Sequence, residues 1–296
     1  MTGRVEGGGR AGAAGPDGAA GRGGDARGSA ANGRSSGAGA DPAVAPDNTG
    51  TTGPTVDEPL VPATREALAG LPVDVAPRLL GGVLEVTSGG ETVAVRLTEV
   101  EAYHGAGTGD RPDPGSHARM GPTARNATMW GEPGHLYVYL SHGIHSCVNV
   151  VCGPEGAAGG ILLRAGEVID GVDAAERRRP AARVRRDLAR GPGRLGDAVG
   201  LRHPAHDGID AVTGFEQARA VARLWLPASV DPRVVSGPRV GVAGVAGTDA
   251  FPWRFWIDGD PTVSPFRWGR GAGPAADAQP GAQPGARRAG GASVLD

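Results

Sequence analysis

The amino-acid sequence predicts an α+β domain built around a mostly antiparallel sheet. Short runs of β-branched or alternating apolar residues recur through the middle of the chain, with helix-start signals between them. Strands mixed with helices in this way are typical of the α+β class. The sequence has no internal repeat and no apolar run of about 18 residues, so it predicts no membrane-spanning helix.

The individual elements follow from local signals. Thr64 has the position and residue type of a helix N-cap, Gly89-Gly90 separates two strand-like runs, and residues 141–144 predict a second hairpin turn. The predicted helices cover residues 64–69, 77–80 and 173–190, the last interrupted near Pro180. The predicted strands cover residues 83–86, 92–103, 136–140, 147–151, 161–164, 239–242 and 253–257.

Composition separates a central domain from two tails. Residues 1–56 and 271–296 are rich in Gly, Ala and Pro, and they contain too little apolar surface to offset the entropy of ordering. We expect both to be disordered and residues 57–270 to form one domain. Cys147 and Cys152 are interpreted as incidental thiols, and the start of the sequence lacks a hydrophobic signal core. These features predict a cytoplasmic protein.

Aromatic and acidic residues cluster in one short window. The chain has 12 aromatic residues, and none precedes Tyr103. Its three tyrosines share a window with carboxylates and a histidine: Glu99, Glu101, Tyr103, His117, Tyr137 and Tyr139. Flat side chains around carboxylates predict a pocket that stacks a planar ligand and carries out acid–base chemistry on it.

Strand periodicity places Glu99, Glu101 and Tyr103 on one face of a strand. Three large polar groups on one face favour the wall of a cleft over a core. Two plainer interpretations stay open, because Glu99 can be a solvated carboxylate and Glu101 can belong to an ion pair on a sheet edge.

Arginine supplies all of the basic charge. The formal net charge is −2, yet all 30 basic residues are arginine, and eight of them lie between positions 177 and 194 with only Asp187 as an acid. This run is either a solvated helix face or a phosphate-binding stripe. The candidate phosphate-binding residues are Arg177, Arg178, Arg183, Arg186 and Arg194. The absence of lysine excludes a lysine Schiff base.

Two histidine pairs have the spacing of metal ligands, His142 with His145 and His203 with His206. The first pair brackets the predicted hairpin turn, and the second pair encloses a proline. Neither pair places two imidazoles on one helical face beside a carboxylate, as metal hydrolases do. We therefore predict no metal and no other cofactor.

A set of ordered motifs is more specific than any of these features alone. The motifs are residues 99–103, 115–117, 125–126, 133–139, Asn149, 162–165, 191–195 and 239–242. Together they resemble the alkyladenine (3-methyladenine) DNA glycosylase family over roughly residues 58–268. The resemblance implies a single compact domain like the C-terminal domain of formyltransferases, with a curved antiparallel sheet and a protruding β-hairpin that inserts into DNA. It also implies a monomer that binds damaged double-stranded DNA at the nucleoid.

The resemblance implies roles for particular residues. Tyr103, His117 and Tyr139 match the positions that sandwich a flipped base, and Asn149 matches a gatekeeper against guanine. Glu101 matches the general base, with Arg164 and the carbonyl of Val240 matching groups that hold its water. At the hairpin tip, where some members have a tyrosine wedge, this chain has His142 and Ile144.

The sequence thus predicts base-excision repair by a glycosylase that hydrolyses the N-glycosidic bond of alkylated or deaminated purines. Without lysine, such an enzyme is monofunctional and releases the base without cutting the strand. Two alternatives remain. One is a non-catalytic protein that binds alkylation damage, and the other is a metal-dependent hydrolase of a small substrate.

Overall fold

The computed structural model describes residues 59–274. These residues form an α+β domain in which the paired strands of the main sheet run antiparallel, as the sequence predicts. The expected tails, residues 1–56 and 271–296, lie outside the described residues except for 271–274. Within the described range, no helix has the length and apolar character that crossing a bilayer requires.

The sheet contains 11 strands, and four short helices accompany it. The helices are α1 Arg65–Leu68, α2 Pro72–Leu79, α3 Val172–Arg178 and α4 Pro192–Val199. The strands are β1 Leu60–Pro62, β2 Val83–Ser88, β3 Glu91–His104, β4 His135–Ser141, β5 His145–Val151, β6 Gly159–Asp170, β7 Ala189–Arg190, β8 Ile209–Asp210, β9 Ala220–Pro227, β10 Val234–Gly237 and β11 Arg254–Ile257. The main path is β1-β9-β2-β3-β6-β5-β4-β8, with β7 paired to β6 and the β10–β11 pair joined to β3.

Strand β3 is the strand around which the sheet curves. Its first half pairs with β2, its last third pairs with β11, and β6 follows it along the other edge. The β3–β6 register shifts near residues 94–95 and again between 97 and 100. Such bulges bend a strand and increase its twist. The bend gives the curved sheet that the sequence resemblance implies, and it lies just before Glu101.

The main core packs helices against this sheet. Leu79 of α2 and Leu195 of α4 belong to one fully buried cluster with Leu97 of β3 and Leu163 of β6. A separate small cluster contains Met129 and Tyr137 and lies at the other end of the fold from the β2–β3 turn. The apolar helix faces therefore hold the sheet from one side, while the small cluster supports the region of the aromatic residues.

Several predicted signals are confirmed. The Ala67 N–H donates to the Thr64 side chain at 3.1 Å, which makes Thr64 the N-cap of α1. Gly89 and Gly90 both have positive φ in the β2–β3 turn. In the second hairpin, His142 and Gly143 have φ of 51° and 70°, and the Ile144 N–H donates to the Ser141 carbonyl at 3.1 Å.

Other predictions of secondary structure are wrong. The helix predicted over 173–190 is interrupted near Pro180 as expected, because Pro180 disfavours helical backbone at Arg179, whose ψ is 54°. Its second part is wrong, since a 3₁₀ turn at Arg185–Asp187 and strand β7 follow instead. Residues 239–242, predicted as a strand, form a turn in which Gly241 has φ of 69°. Helix α2 begins at Pro72, earlier than predicted, since proline is well suited to the first helical turn.

Gly196→Ala should destabilise the domain although alanine favours a helix by about 1 kcal/mol over glycine. A Cβ at position 196 in α4 would lie 2.1 Å from the Ser146 carbonyl oxygen of β5. We expect a loss of about 1–3 kcal/mol in the free energy of unfolding, measured by urea titration. Gly131→Ala is the matched control, because its Cβ would meet no atom closer than 3.5 Å. A stabilising Gly196→Ala would contradict the close approach of α4 to β5.

Candidate active site

Glu101 is completely buried on β3, and its carboxylate accepts two hydrogen bonds and belongs to one ion pair. The Val240 N–H donates to Oε1 at 2.6 Å, and the Tyr103 hydroxyl donates to Oε2 at 2.8 Å. The Arg164 guanidinium lies 3.3 Å from Oε2 and forms the ion pair. Oε1 has one donor only, which leaves acceptor capacity for a further partner such as water.

Arg164 joins Glu101 to a second buried carboxylate, Glu99. The Arg164 Nε and the Arg254 Nε donate to Glu99 Oε1 at 2.9 Å and 2.7 Å, and the Ser264 N–H donates to Oε2 at 2.7 Å. Although burial opposes it, Arg164 and Arg254 lower the pKa of Glu99. Despite its burial, Glu101 and Glu99 raise the pKa of Arg164.

The solvated interpretation of Glu99 is therefore wrong. Glu99 is fully buried, as is Glu101, and neither carboxylate belongs to the wall of an open cleft. The sequence interpretation of Glu101 as an exposed ion pair on a sheet edge is wrong for the same reason. The shared face of β3 does bring both carboxylates to Arg164, as strand periodicity predicts.

A second buried ion pair holds the loop after β3. Arg239 binds Asp113 through two hydrogen bonds of 2.7 Å and 2.8 Å, and both side chains are fully buried. Arg239 also donates to the carbonyls of Ala102 and Ala246, and its guanidinium lies 4.4 Å from the ring centroid of Tyr103. One arginine thus connects β3, the loop around Asp113 and the turn that contains Val240.

An aromatic cavity of about 340 Å³ lies beside Tyr103. Its lining residues are Tyr103, Pro114, Gly115, His117, Arg119, Met129, Tyr137, Tyr139, Asn149, Val242 and Ala243. This volume falls within the range of small-ligand sites. The four residues predicted to bind a base, Tyr103, His117, Tyr139 and Asn149, all line it.

The rings in the cavity do not form a simple parallel stack. Tyr137 and Tyr139 are stacked at 5.5 Å and 20°, whereas His117 meets Tyr139 edge-on at 4.6 Å and 88°. The Tyr137 hydroxyl lies 3.4 Å from His117 Nδ1, and the Asn149 side-chain amide donates to the Tyr137 carbonyl at 3.0 Å. Tyr137 therefore orients two of the predicted base-binding residues.

Burial keeps these rings uncharged near neutral pH. Burial, reinforced by Glu101, raises the pKa of Tyr103 well above its usual value, and burial raises that of Tyr137 to about 12. Burial also lowers the pKa of His117 below 6.5, with smaller contributions from Arg125 and Arg119. A neutral imidazole does not repel a positively charged ligand.

The predicted wedge residues lie at the tip of the β4–β5 hairpin. His142 is exposed, and 73% of the Ile144 surface is accessible. The same hairpin carries Tyr139 in the cavity, only three residues before His142. The tip is thus an exposed apolar and aromatic projection on the strand pair that forms one cavity wall.

The predicted phosphate-binding arginines differ in their surroundings. Arg178 is turned inward and donates to the carbonyls of Ala198 and Ser88, which leaves no free guanidinium for a phosphate. Arg177 is exposed but pairs with Glu91. Among the described residues, no carboxylate pairs with the remaining exposed candidates, Arg183, Arg186 and Arg194.

The second histidine pair is used for backbone contacts. His203 Nδ1 lies 2.9 Å from the Val138 carbonyl, and His206 Nδ1 accepts from the Arg202 N–H at 2.9 Å. Over residues 59–274, no three His, Cys, Asp or Glu side chains come together as a set of metal ligands.

Sequence reasoning missed several parts of the site. It gave no role to Tyr137, although the two-residue spacing from Tyr139 on β4 places both rings on one strand face. It also missed Arg119 and Met129 in the lining and the buried Asp113–Arg239 pair. No local pattern identifies that pair, because its members are 126 residues apart.

The fold and site place the chain in a known class. A family model described as methylpurine-DNA glycosylase (MPG) matches residues 66–261. The proposed 3-methyladenine DNA glycosylase of Leifsonia xyli is 49% identical over 215 residues, 71% of this chain and 95% of the relative. Its counterpart in Streptomyces avermitilis is 50% identical over 206 residues, 70% of this chain and 92% of the relative.

These similarities and the antiparallel α+β fold define a DNA-repair hydrolase. The chain belongs to the methylpurine-DNA glycosylase family. It is therefore a DNA glycosylase, and its partner is DNA.

Acidification should destabilise the domain through the buried His104. Burial lowers the pKa of His104 below 6.5, and neither of its ring nitrogens has a hydrogen-bond partner among the described residues. The unfolded chain therefore binds this proton more readily, so stability is complete above about pH 6.5 and falls below it. Urea midpoints at about pH 7.5 and about pH 5 will measure the loss.

His104→Phe is the matched variant, because phenylalanine keeps a ring to stack on Trp253, 4.5 Å from the imidazole, and cannot be protonated. Its urea midpoint should depend less on pH than that of the unmodified protein. An equal dependence in the two proteins would contradict the role given to His104.

Proposed function

We propose that the protein is a monofunctional glycosylase that removes alkylated or deaminated purines from duplex DNA. The observation that supports this most strongly is the Glu101 carboxylate, fixed by Val240, Tyr103 and Arg164 next to an aromatic cavity. A planar ligand held by Tyr103 lies next to an ionised base, which is the arrangement that N-glycosidic hydrolysis needs.

A base within a duplex cannot enter this cavity, so the nucleotide has to rotate out at a cost of a few kcal/mol. Stacking on aromatic rings contributes about 1–3 kcal/mol per base and offsets much of that cost. The rings available are those of Tyr103, His117 and Tyr139. His142 and Ile144 at the exposed hairpin tip fill the gap left in the DNA stack.

Glu101 acts as the general base. It takes a proton from water, the water oxygen bonds to C1′ of the deoxyribose, and the bond from C1′ to the purine nitrogen breaks. The electron pair of that bond leaves with the purine. Arg164 pairs with Glu101 and, with the Val240 carbonyl, holds the attacking water. The anionic carboxylate also stabilises the positive charge that develops on the sugar.

The cavity favours purines that leave as neutral molecules. Alkylation at a ring nitrogen gives the base in DNA a positive charge, which cleavage of the glycosidic bond removes. His117 is uncharged at neutral pH and so does not repel such a base. Asn149, held in place by the Tyr137 carbonyl, is positioned to reject the exocyclic amino group of unmodified guanine. The names of the relatives, which refer to 3-methyladenine, agree with this preference.

A protein that only binds alkylation damage would need the cavity but not the base. Glu101→Gln separates the two functions, because glutamine keeps the shape and loses the proton acceptor. We expect base release from a duplex with one hypoxanthine to slow by about 10²–10⁴-fold under single-turnover conditions. Binding of the same duplex should change little.

Glu155→Gln is the control, because Glu155 is an exposed carboxylate outside the cavity. It should release the base at the rate of the unmodified protein. Undiminished release by Glu101→Gln would reject Glu101 as the base. Binding without any release by the unmodified protein would favour the damage-binding alternative.

The reaction should leave an abasic strand uncut. A bifunctional glycosylase forms an imine through a primary amine, and this chain has no lysine. Borohydride added during the reaction should therefore trap no covalent adduct, and the strand should break only after alkali treatment of the product. Denaturing gels before and after alkali will show both results, and a trapped adduct would falsify the monofunctional assignment.

A further inference from the structure

One rim of the cavity carries arginines without carboxylate partners. Arg119 lines the cavity, and Arg125 lies close enough to His117 and Tyr137 to interact electrostatically with both side chains. Both arginines are exposed, and no carboxylate pairs with either within the described part of the chain. The nearby buried acids, Glu101 and Asp113, are neutralised by other arginines. This rim therefore has surplus positive charge.

Another part of the cavity lining is formed by the turn after Val240, and a further segment packs against that turn. Val242 and Ala243 line the cavity. The Gly241 N–H donates to the Arg267 carbonyl at 2.9 Å, and the Gly244 N–H donates to the Arg270 carbonyl at 3.0 Å. Residues 265–270, which we call the rim segment, thus extend this wall of the cavity.

Close packing fixes the rim segment in place. A Cβ at Gly269 would lie 2.0 Å from the Val242 carbonyl oxygen, so only glycine permits this approach. Phe266 and Trp268 contact each other edge-on at 4.8 Å, and the Arg254 guanidinium lies 5.7 Å from the Phe266 ring. The segment is anchored at its backbone and by its aromatic side chains, while Arg267 is left to face outward.

Arg267 projects over the cavity turn. Its Nε lies 3.6 Å from the position that a Gly241 Cβ would occupy, and the side chain is exposed. No carboxylate between residues 59 and 274 pairs with it. The family-model match ends at residue 261, shortly before the rim segment begins.

We propose that the rim segment is a DNA-contacting element, in which Arg267 binds a backbone phosphate beside the extruded nucleotide. Arg119 and Arg125 bind further backbone phosphates at the cavity mouth. This inference rests on the proposed function, because extrusion of a nucleotide draws its flanking phosphates to that mouth. Arginine suits such a contact because its planar guanidinium pairs with two phosphate oxygens, and these contacts set the register of the protein on DNA.

The test measures the salt dependence of binding to a duplex with one tetrahydrofuran abasic analogue, which has no base to release. Each lost phosphate contact reduces the slope of log K against log salt by about 0.9. We expect this reduction for Arg267→Gln and for Arg119→Gln. For Arg267→Gln, single-turnover base release at saturating protein should remain at the rate of the unmodified protein, because Arg267 lies outside the cavity lining and does not touch the reacting atoms.

Arg219→Gln is the matched control. Arg219 is exposed, and its carbonyl accepts from Gly89 in the β2–β3 turn, at the opposite end of β3 from Tyr103. The slope of log K against log salt should be the same for Arg219→Gln as for the unmodified protein. An unchanged slope for Arg267→Gln, or an equal reduction for Arg219→Gln, overturns the inference about the rim segment. Failure of the unmodified protein to release any base from damaged duplexes contradicts the proposed function instead, independently of the slopes.

Discussion

The candidate active site depends on the buried contact between Arg164 and two carboxylates. Removing a charge from water costs several kcal/mol, and a buried ion pair regains this only with good geometry and further hydrogen bonds. Glu99 meets that condition through Arg254 and Ser264 as well as Arg164. The group contributes a fixed geometry more than it contributes stability, because its members can be satisfied in only one arrangement. Glu101 is thereby held in place inside the protein.

The buried Asp113–Arg239 ion pair fixes the positions of residues in the cavity walls in a similar way. Arg239 precedes Val240, whose N–H holds Glu101, and its guanidinium packs over the Tyr103 ring. Asp113 lies four residues before His117 and accepts from the backbone N–H groups of His104 and Gly115. The position of the Glu101 carboxylate and the walls of the cavity are therefore coupled through one buried ion pair.

Local signals predicted the parts of the fold that depend on local chemistry. Gly89-Gly90 and the turn at 141–144 require positive φ, and the glycines there reveal it. The alternating valines of residues 239–242 predict a strand, whereas the structure has a turn there, beside the bond from Arg239 to distant Asp113. Likewise, the burial of Glu99 depends on Arg254, 155 residues away. Sequence periodicity does not identify a partner that lies so far away along the chain.

The protein has a net charge of −2, yet it belongs to a family that acts on DNA. The distribution of its charges over the structure explains this, whereas their sum does not. The acids near the cavity are buried and neutralised by internal arginines, so they contribute little to the potential outside. Exposed arginines on the rim then dominate the local field, and salt screens charges farther than about 10 Å away. Because the internal arginines neutralise these acids, the cavity mouth stays positive. This positive charge favours approach of the phosphate backbone to that face.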